Sequence, residues 1–153
     1  MTDTITSQTE SATSTEQAYQ RALHLTLQIA VSHHRAGRLA EAGQLYRDIL
    51  QVQSEHALAN HNLGVLLLQT QQPAEGLPYL ENALAANPES ERYWLSYIDA
   101  LEQAGHTEQA REMLAFAREH GLEGKDAQVL SGILNMGGQH AATAARAQQQ
   151  LSP

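Results

Sequence analysis

Eight histidines in a chain without cysteine make metal ligation the first chemistry to weigh. His33 and His34 are adjacent, which on a helix turns them about 100° apart, and His56 and His61 lie on either side of a turn. No His-Glu-x-x-His pair places two imidazoles on one helix face. His24, His34 and His61 could converge on one surface, but solvated histidine is the simpler reading. Glu108, Glu112 and Glu119 recur on a helix face, the ordinary arrangement of solvated charge rather than of an acid–base pair. No Ser-His-Asp order is anchored to a nucleophile turn, and no glycine-rich phosphate loop follows a strand. Trp94 and Tyr97, at helical spacing, read as core rather than as a cofactor box. The sequence therefore predicts no catalytic residues, no cofactor, no metal site, and a chain that is not an enzyme.

Any site must be positioned by one ordinary domain, because 153 residues can bury one core and leave no room for an enzyme-sized second unit. The net charge is −8, with Lys125 the only lysine and the arginines scattered along the chain. That distribution provides no basic stripe for a phosphate backbone and argues against nucleic acid as a partner. Without cysteine there is no disulfide framework, thiolate metal site or cysteine nucleophile. The opening MTDTITSQTESATST lacks the basic start and apolar run of a secretory signal. No stretch approaches the roughly 20 apolar residues that span a bilayer. The expected setting is cytoplasmic, with no membrane partner.

Residues 1–15 are rich in threonine and serine and nearly devoid of apolar side chains, so they read as a disordered arm that cannot offset the entropy of ordering. From Glu16 onward apolar residues recur three and four apart, as in Leu23, Leu27, Ala30 and Val31, then Leu45, Ile49 and Val52. That is the helical period, and no segment alternates like a half-buried strand. Breaks at Gly37, Gln53-Ser54, Gln71-Pro73, Asn87-Pro88, Gly105-His106 and Gly121 delimit helices over 16–36, 39–52, 57–70, 73–86, 91–104 and 107–120. Short connections make successive helices antiparallel neighbours. Pro78 falls inside the fourth helix, where its missing N–H is expected to bend the first turns or delay the start.

Sliding the chain against itself by 34 residues aligns Gly37, Gln71 and Gly105; Ala42, Gly76 and Ala110; Tyr46, Leu80 and Leu114; and Ile49, Ala83 and Ala117. A small residue early in each second helix permits close approach, and the large apolar residue four later fills the space beside it. The copies span 23–56, 57–90 and 91–124. With Leu63-Gly64, Ala83 and Pro88 in copy two, Trp94, Gly105 and Ala110 in copy three, and Ala30, His33, Gly37, Ala42 and Tyr46 in copy one, this unit resembles the tetratricopeptide repeat. The resemblance implies an all-α helix-turn-helix solenoid of three repeats in a right-handed superhelix. No copy matches in full: Gln71 replaces the turn glycine, Gly76 the small alanine, and Ser54 and Leu122 the usual proline. Stretches such as GRLAEAGQLYRDILQ are similar to the amino-terminal repeats of bacterial proteins in which a glycosyltransferase or sulfotransferase domain follows. That implies either a fragment of such a protein or a free-standing adaptor. A solenoid needs its last apolar face covered. Val129, Leu130, Ile133 and Leu134 suit a capping helix over 126–136, completing a domain of 16–136 and leaving 137–153 as a tail or linker.

In tetratricopeptide proteins the first helix of each repeat lines a concave face that binds peptides. Carried onto this chain, the face comprises His24, Leu27, Gln28, Val31, His34 and Arg35; then Leu58, His61, Asn62, Val65 and Gln69; then Arg92, Leu95, Ser96, Asp99, Glu102 and Gln103. Its middle is apolar and its third copy charged. Leu27, Val31, Val65 and Leu95 would supply apolar contact, Asn62 a bond to a peptide backbone, and Arg92 a partner for a carboxylate. Asn62 stands where the O-linked N-acetylglucosamine transferases carry an asparagine ladder, with Gln28 and Ser96 at the neighbouring rungs; the other reading is that Asn62 only bonds to the next helix. The carboxylate clamp of other members is matched by Asn62 and Arg92 but not by Leu27, Val31 and Ser96. The implied function is a protein-interaction module for a peptide or partner helix, able to recruit substrate within a larger enzyme. The alternative is a self-associating scaffold, a homo-oligomer built by stacking exposed repeat ends.

Overall fold

A computed structural model describes the backbone of residues 3–124, side chains from Ala12 onward, and residues 128, 131 and 132. Six helices follow one another: α1 (Asp3–Arg35), α2 (Leu39–Val52), α3 (Ala57–Gln69), α4 (Pro73–Ala86), α5 (Glu91–Gln103) and α6 (Thr107–Glu119). No strand occurs among the described residues. Each helix packs on the next, and α3 also touches both α1 and α5, whereas α2, α4 and α6 do not touch one another. First helices thus form an inner row and second helices diverge outside it, as on the two sides of a curve.

The turn within each repeat is built the same way three times. Gly37 N–H donates to the His34 carbonyl and Arg38 N–H to that of His33, at 3.1 and 2.9 Å. Gln71 to Leu68 and Gln72 to Leu67 repeat the pair at 3.1 and 2.8 Å, and Gly105 to Glu102 and His106 to Leu101 at 3.0 and 2.8 Å. This closure of the last helical carbonyls requires a left-handed residue, and φ is 75° at Gly37, 62° at Gln71 and 84° at Gly105. Gln71 therefore holds the turn without glycine, at a cost of about 1–2 kcal/mol.

Burial follows the 34-residue register. Ala42, Gly76 and Ala110, then Tyr46, Leu80 and Leu114, then Ile49, Ala83 and Ala117 are all buried. One core cluster gathers Leu27, Tyr46, Ile49 and Leu63 between α1, α2 and α3; another gathers Leu80, Ile98, Leu101 and Leu114 between α4, α5 and α6. The tightest approach is α3 on α4. A Cβ on Gly64 would lie 2.5 Å from Leu80 Cγ, and one on Gly76 would lie 3.0 Å from the Gly64 carbonyl oxygen, so only glycine lets these backbones meet.

Two expectations are corrected. The first helix begins at Asp3, not Glu16, so residues 3–15 of the expected disordered arm are helical. No glycine or proline precedes Gly37, and once the docked turns have nucleated a helix, each further residue adds one hydrogen bond. The scarcity of apolar side chains shows instead as exposure, since every residue from Ala12 to Ala22 faces solvent. In α4 the start is not delayed: the helix opens at Pro73 and runs through Pro78 to Ala86. Pro78 deprives only the Ala74 carbonyl of its helical donor, and both residues are exposed, where water takes that bond. Of the expected capping helix, Gln128, Ser131 and Gly132 have helical backbone; its remainder and the tail 137–153 lie outside the described residues.

Candidate functional site

The inner row of helices carries a groove of about 580 Å³ lined by Val31, His34, Arg35, Tyr46, Leu58, His61, Asn62, Val65, Gln69, Arg92 and Ser96. All but Tyr46 belong to the surface read from the sequence. The groove crosses the row obliquely, taking the end of α1, the length of α3 and the start of α5. Early positions of α1 and late positions of α5 therefore fall off it. Leu27 is buried in the core. His24 and Gln28 are exposed and bond each other at 3.0 Å. Leu95 packs against the second core cluster. Asp99 accepts from Gln103 Nε2 at 3.0 Å, and Glu102 is half-buried with Oε2 inaccessible and unbonded among the described residues.

A branched set of hydrogen bonds crosses the groove. Arg92 Nη2 lies 3.1 Å from His61 Nδ1 and 3.4 Å from Asn62 Oδ1. A guanidinium only donates, so His61 Nδ1 accepts and the ring proton sits on Nε2, which donates to Ser96 Oγ at 2.9 Å. On the other side Asn62 bonds the Tyr46 hydroxyl. That hydroxyl lies 3.2 Å from His34 Nδ1, and His34 Nε2 lies 2.8 Å from Gln69 Oε1. Matching donors to acceptors gives one polarity: the Asn62 amide donates to Tyr46, Tyr46 to His34, and His34 to Gln69. His61 is buried and stacks on Tyr93 with ring centroids 4.7 Å apart. Burial first, and the charge of Arg92 second, lower its pKa to about 4, opposed by Asn62, whose Oδ1 lies 3.4 Å from Nδ1 and favours a ring protonated there. It is neutral at pH 7. Burial raises the Tyr46 hydroxyl, opposed by the Asn62 bond and the charge of Arg35.

Arg35 and Arg92 are both exposed, are the only arginines of the lining, and meet no carboxylate in it. Neither makes an ion pair among the described residues. In a chain of net charge −8 the formal charge of the groove lining is thus positive only. Sequence reasoning expected charge of both signs here, from Asp99 and Glu102; the oblique course of the groove leaves both acids out. Tyr46 was missed because its ring fills the packing position held by Leu80 and Leu114 in the other copies. The hydroxyl those leucines lack was the available signal. His34 and His61 do reach one surface and His24 does not, and among the described residues no group of three side chains suited to a metal occurs. No helix there is long and apolar enough to cross a membrane.

The tetratricopeptide repeat family model matches residues 67–130. The Hsp90 co-chaperone Cns1 from Saccharomyces cerevisiae superposes with a TM-score of 0.75 at 19% identity, covering 86% of this chain and 44% of that one. The fold is that of the tetratricopeptide repeat. The first such domain of Spaghetti (RPAP3), solved bound to the HSP90 peptide SRMEEVD, gives a TM-score of 0.67 at 14% identity over 78% of this chain and 93% of its own. Likeness at these identities carries the fold alone. In sequence, the chain is similar to cellulose synthase operon protein C of Komagataeibacter xylinus, 29% identical over 91 residues, 60% of this chain. The match spans 7% of the length of that relative.

Proposed function

We propose that this chain is a protein-interaction module whose groove across α1, α3 and α5 binds an acidic segment of a partner protein. The observation that carries the reading is the lining: two guanidiniums, no carboxylate, and an apolar floor of Val31, Leu58 and Val65. Arg92 is held by Nη2 on His61 and Asn62, so its fork is oriented before a ligand arrives and its remaining N–H groups suit a carboxylate. Preorganisation of this kind lowers the entropy lost on binding. Asn62 then acts by positioning Arg92 more than by bonding a peptide backbone directly. The peptide held by the RPAP3 domain, SRMEEVD, is acidic, which supports the same charge preference here. Recruitment of substrate for an enzyme is the finer role we attach; the name of the relative from a cellulose synthase operon supports a setting beside a polymerising enzyme.

The test is a titration of the labelled chain with SRMEEVD and with SRMQQVN, in which the three acidic side chains are replaced by amides, followed by amide chemical shifts. Shifts should concentrate at 31–35, 58–69 and 92–96, weaken with salt, and fall about tenfold in affinity in Arg35→Gln/Arg92→Gln. Equal binding of both peptides, or a footprint that avoids these segments, would overturn the reading. Self-association is the second reading, favoured by Leu25 and Ile29, 57% and 52% exposed on one face of α1. Light scattering that follows Ile29→Glu separates the two.

A further inference from the structure

A second cleft, of about 630 Å³, opens between the loop entering α5 and the end of α6. Its wall is a row of rings. Trp94 and Phe116 have centroids 5.7 Å apart and tilted by 38°, and Phe116 stacks on His120 at 4.1 Å. Phe116 is 45% exposed. His120 Nδ1 lies 2.7 Å from the Phe116 carbonyl, which can only accept, so the proton is on Nδ1 and Nε2 keeps a free lone pair. Glu89 and Glu91 stand at the rim, and neither pairs with a cation among the described residues.

The repeat supplies its own control. Thirty-four residues earlier the equivalent cleft, about 430 Å³, is lined by Ser54, Glu55, Asn82, Ala85 and Ala86. There Asn60 Nδ2 donates to the Ser54 carbonyl at 2.8 Å; here Trp94 Nε1 donates to the Pro88 carbonyl at 2.8 Å. The same loop is tied by an asparagine in one copy and in the other by Trp94, a residue of the repeat pattern that also packs on the core. Phe116 replaces Asn82, His120 replaces Ala86, and Glu91 replaces Ala57. Phe116, His120 and the second carboxylate are additions to what the repeat needs.

We propose that this cleft receives an arginine side chain from a partner polypeptide. Ring faces attract a cation, the carboxyl end of α6 presents the negative pole of its dipole, and Glu89 adds a carboxylate. The start of α5 takes up part of the charge of Glu91, and Arg118 of α6 stays outside the lining. A planar guanidinium can stack on the rings while donating to the carboxylates and to His120 Nε2. The cleft shares no residue with the groove, so this proposal stands or falls independently of the one above.

Trp94 is the sole tryptophan, and its emission reports the cleft directly. The probes are an acetylated, amidated Gly-Gly-Arg-Gly-Gly peptide and the same peptide with citrulline in place of arginine. The arginine peptide should change Trp94 emission saturably and bind about fivefold or more tightly than the citrulline peptide. Phe116→Asn/His120→Ala, which installs the residues of the preceding repeat and so keeps the fold, should abolish the preference. Glu89→Gln should reduce it, and Arg35→Gln/Arg92→Gln should leave it intact. Equal binding of the two peptides, an unaffected double variant, or no saturable change would overturn the proposal. Lys125 follows Gly124 in sequence; peptide binding seen only in Lys125→Ala would mean that the chain supplies its own cation, and would also overturn it.

Discussion

Acidification from pH 7 to pH 5 should loosen the repeats through His61. The ring is 3% exposed, and Arg92 donates to its Nδ1 at 3.1 Å. Its pKa is about 4 in the folded chain against an ordinary value of 6.5. Between those values the unfolded chain takes up a proton that the folded chain refuses. The stability that depends on neutral His61 is therefore whole above pH 6.5, declines as the pH drops toward 4, and suffers no further loss from this group below that. At pH 5 the unfolded histidine is almost fully protonated and the folded one only about a tenth so. Each pH unit inside the window is worth about 1.4 kcal/mol, which sets a ceiling of about 2 kcal/mol between pH 7 and pH 5. Water entering the groove screens the charge and brings the expected loss to about 1–2 kcal/mol, or roughly 3–8 °C in Tm for a domain of this size. Urea and thermal unfolding followed by circular dichroism at pH 7, 6 and 5, on wild type and His61→Gln, reads this directly. Carboxylates titrate in both proteins alike, so the difference between the two profiles isolates His61. The variant should start less stable and lose less. Equal losses would refute the reasoning, because His61 would then not be held neutral by burial and Arg92.

Four further outcomes are expected. Asn62→Ala removes the bonds to Tyr46 and Arg92 and should cost about 1–3 kcal/mol, read as a lower urea midpoint; unchanged stability with weaker peptide binding would instead make Asn62 a free rung for the ligand. Gly64→Ala should cost about 1–3 kcal/mol, because its Cβ would meet Leu80 Cγ at 2.5 Å. Gly43→Ala should gain about 0.5–1 kcal/mol, since its Cβ would press only on the movable end of Arg47 at 3.2 Å and make ordinary contact with Leu66 at 3.8 Å; thermal melts that rank the two alike would contradict the close approach of α3 and α4. Gln71→Gly relieves a left-handed glutamine but loosens the unfolded chain, leaving a net gain of up to about 1 kcal/mol at constant m value, and a loss would mean that the Gln71 side chain holds the turn in some other way.

The repeat register was legible wherever a local rule enforced it. Gly37, Gly105 and Asn87-Pro88 end helices by backbone conformation alone, and the observed ends fall within a residue of those read from sequence. Gln71 kept its place in the register although its residue type argued against the turn, because the paired closure onto Leu67 and Leu68 holds it there. The oblique course of the groove was not legible, since it depends on how each repeat is rotated on the last. That rotation is set by the packing of one repeat on the next, α2 on α3 and α4 on α5, which no periodicity encodes. Hence Asp99 and Glu102, though on the same helix as Arg92 and Ser96, lie outside the groove lining, and Tyr46 joins it from a packing position. In a solenoid the residues shared by all copies answer to the fold, so departures from the shared pattern carry the functional information. Tyr46 against Leu80 and Leu114 adds the hydroxyl that joins Asn62 to His34 across the groove. Phe116 and His120 against Asn82 and Ala86 extend Trp94 into an aromatic wall beside two carboxylates. The first departure belongs to a site of positive charge and the second to one of negative charge. A partner segment carrying acidic residues and an arginine would meet complementary charge at each, and a reversed segment would meet repulsion at both.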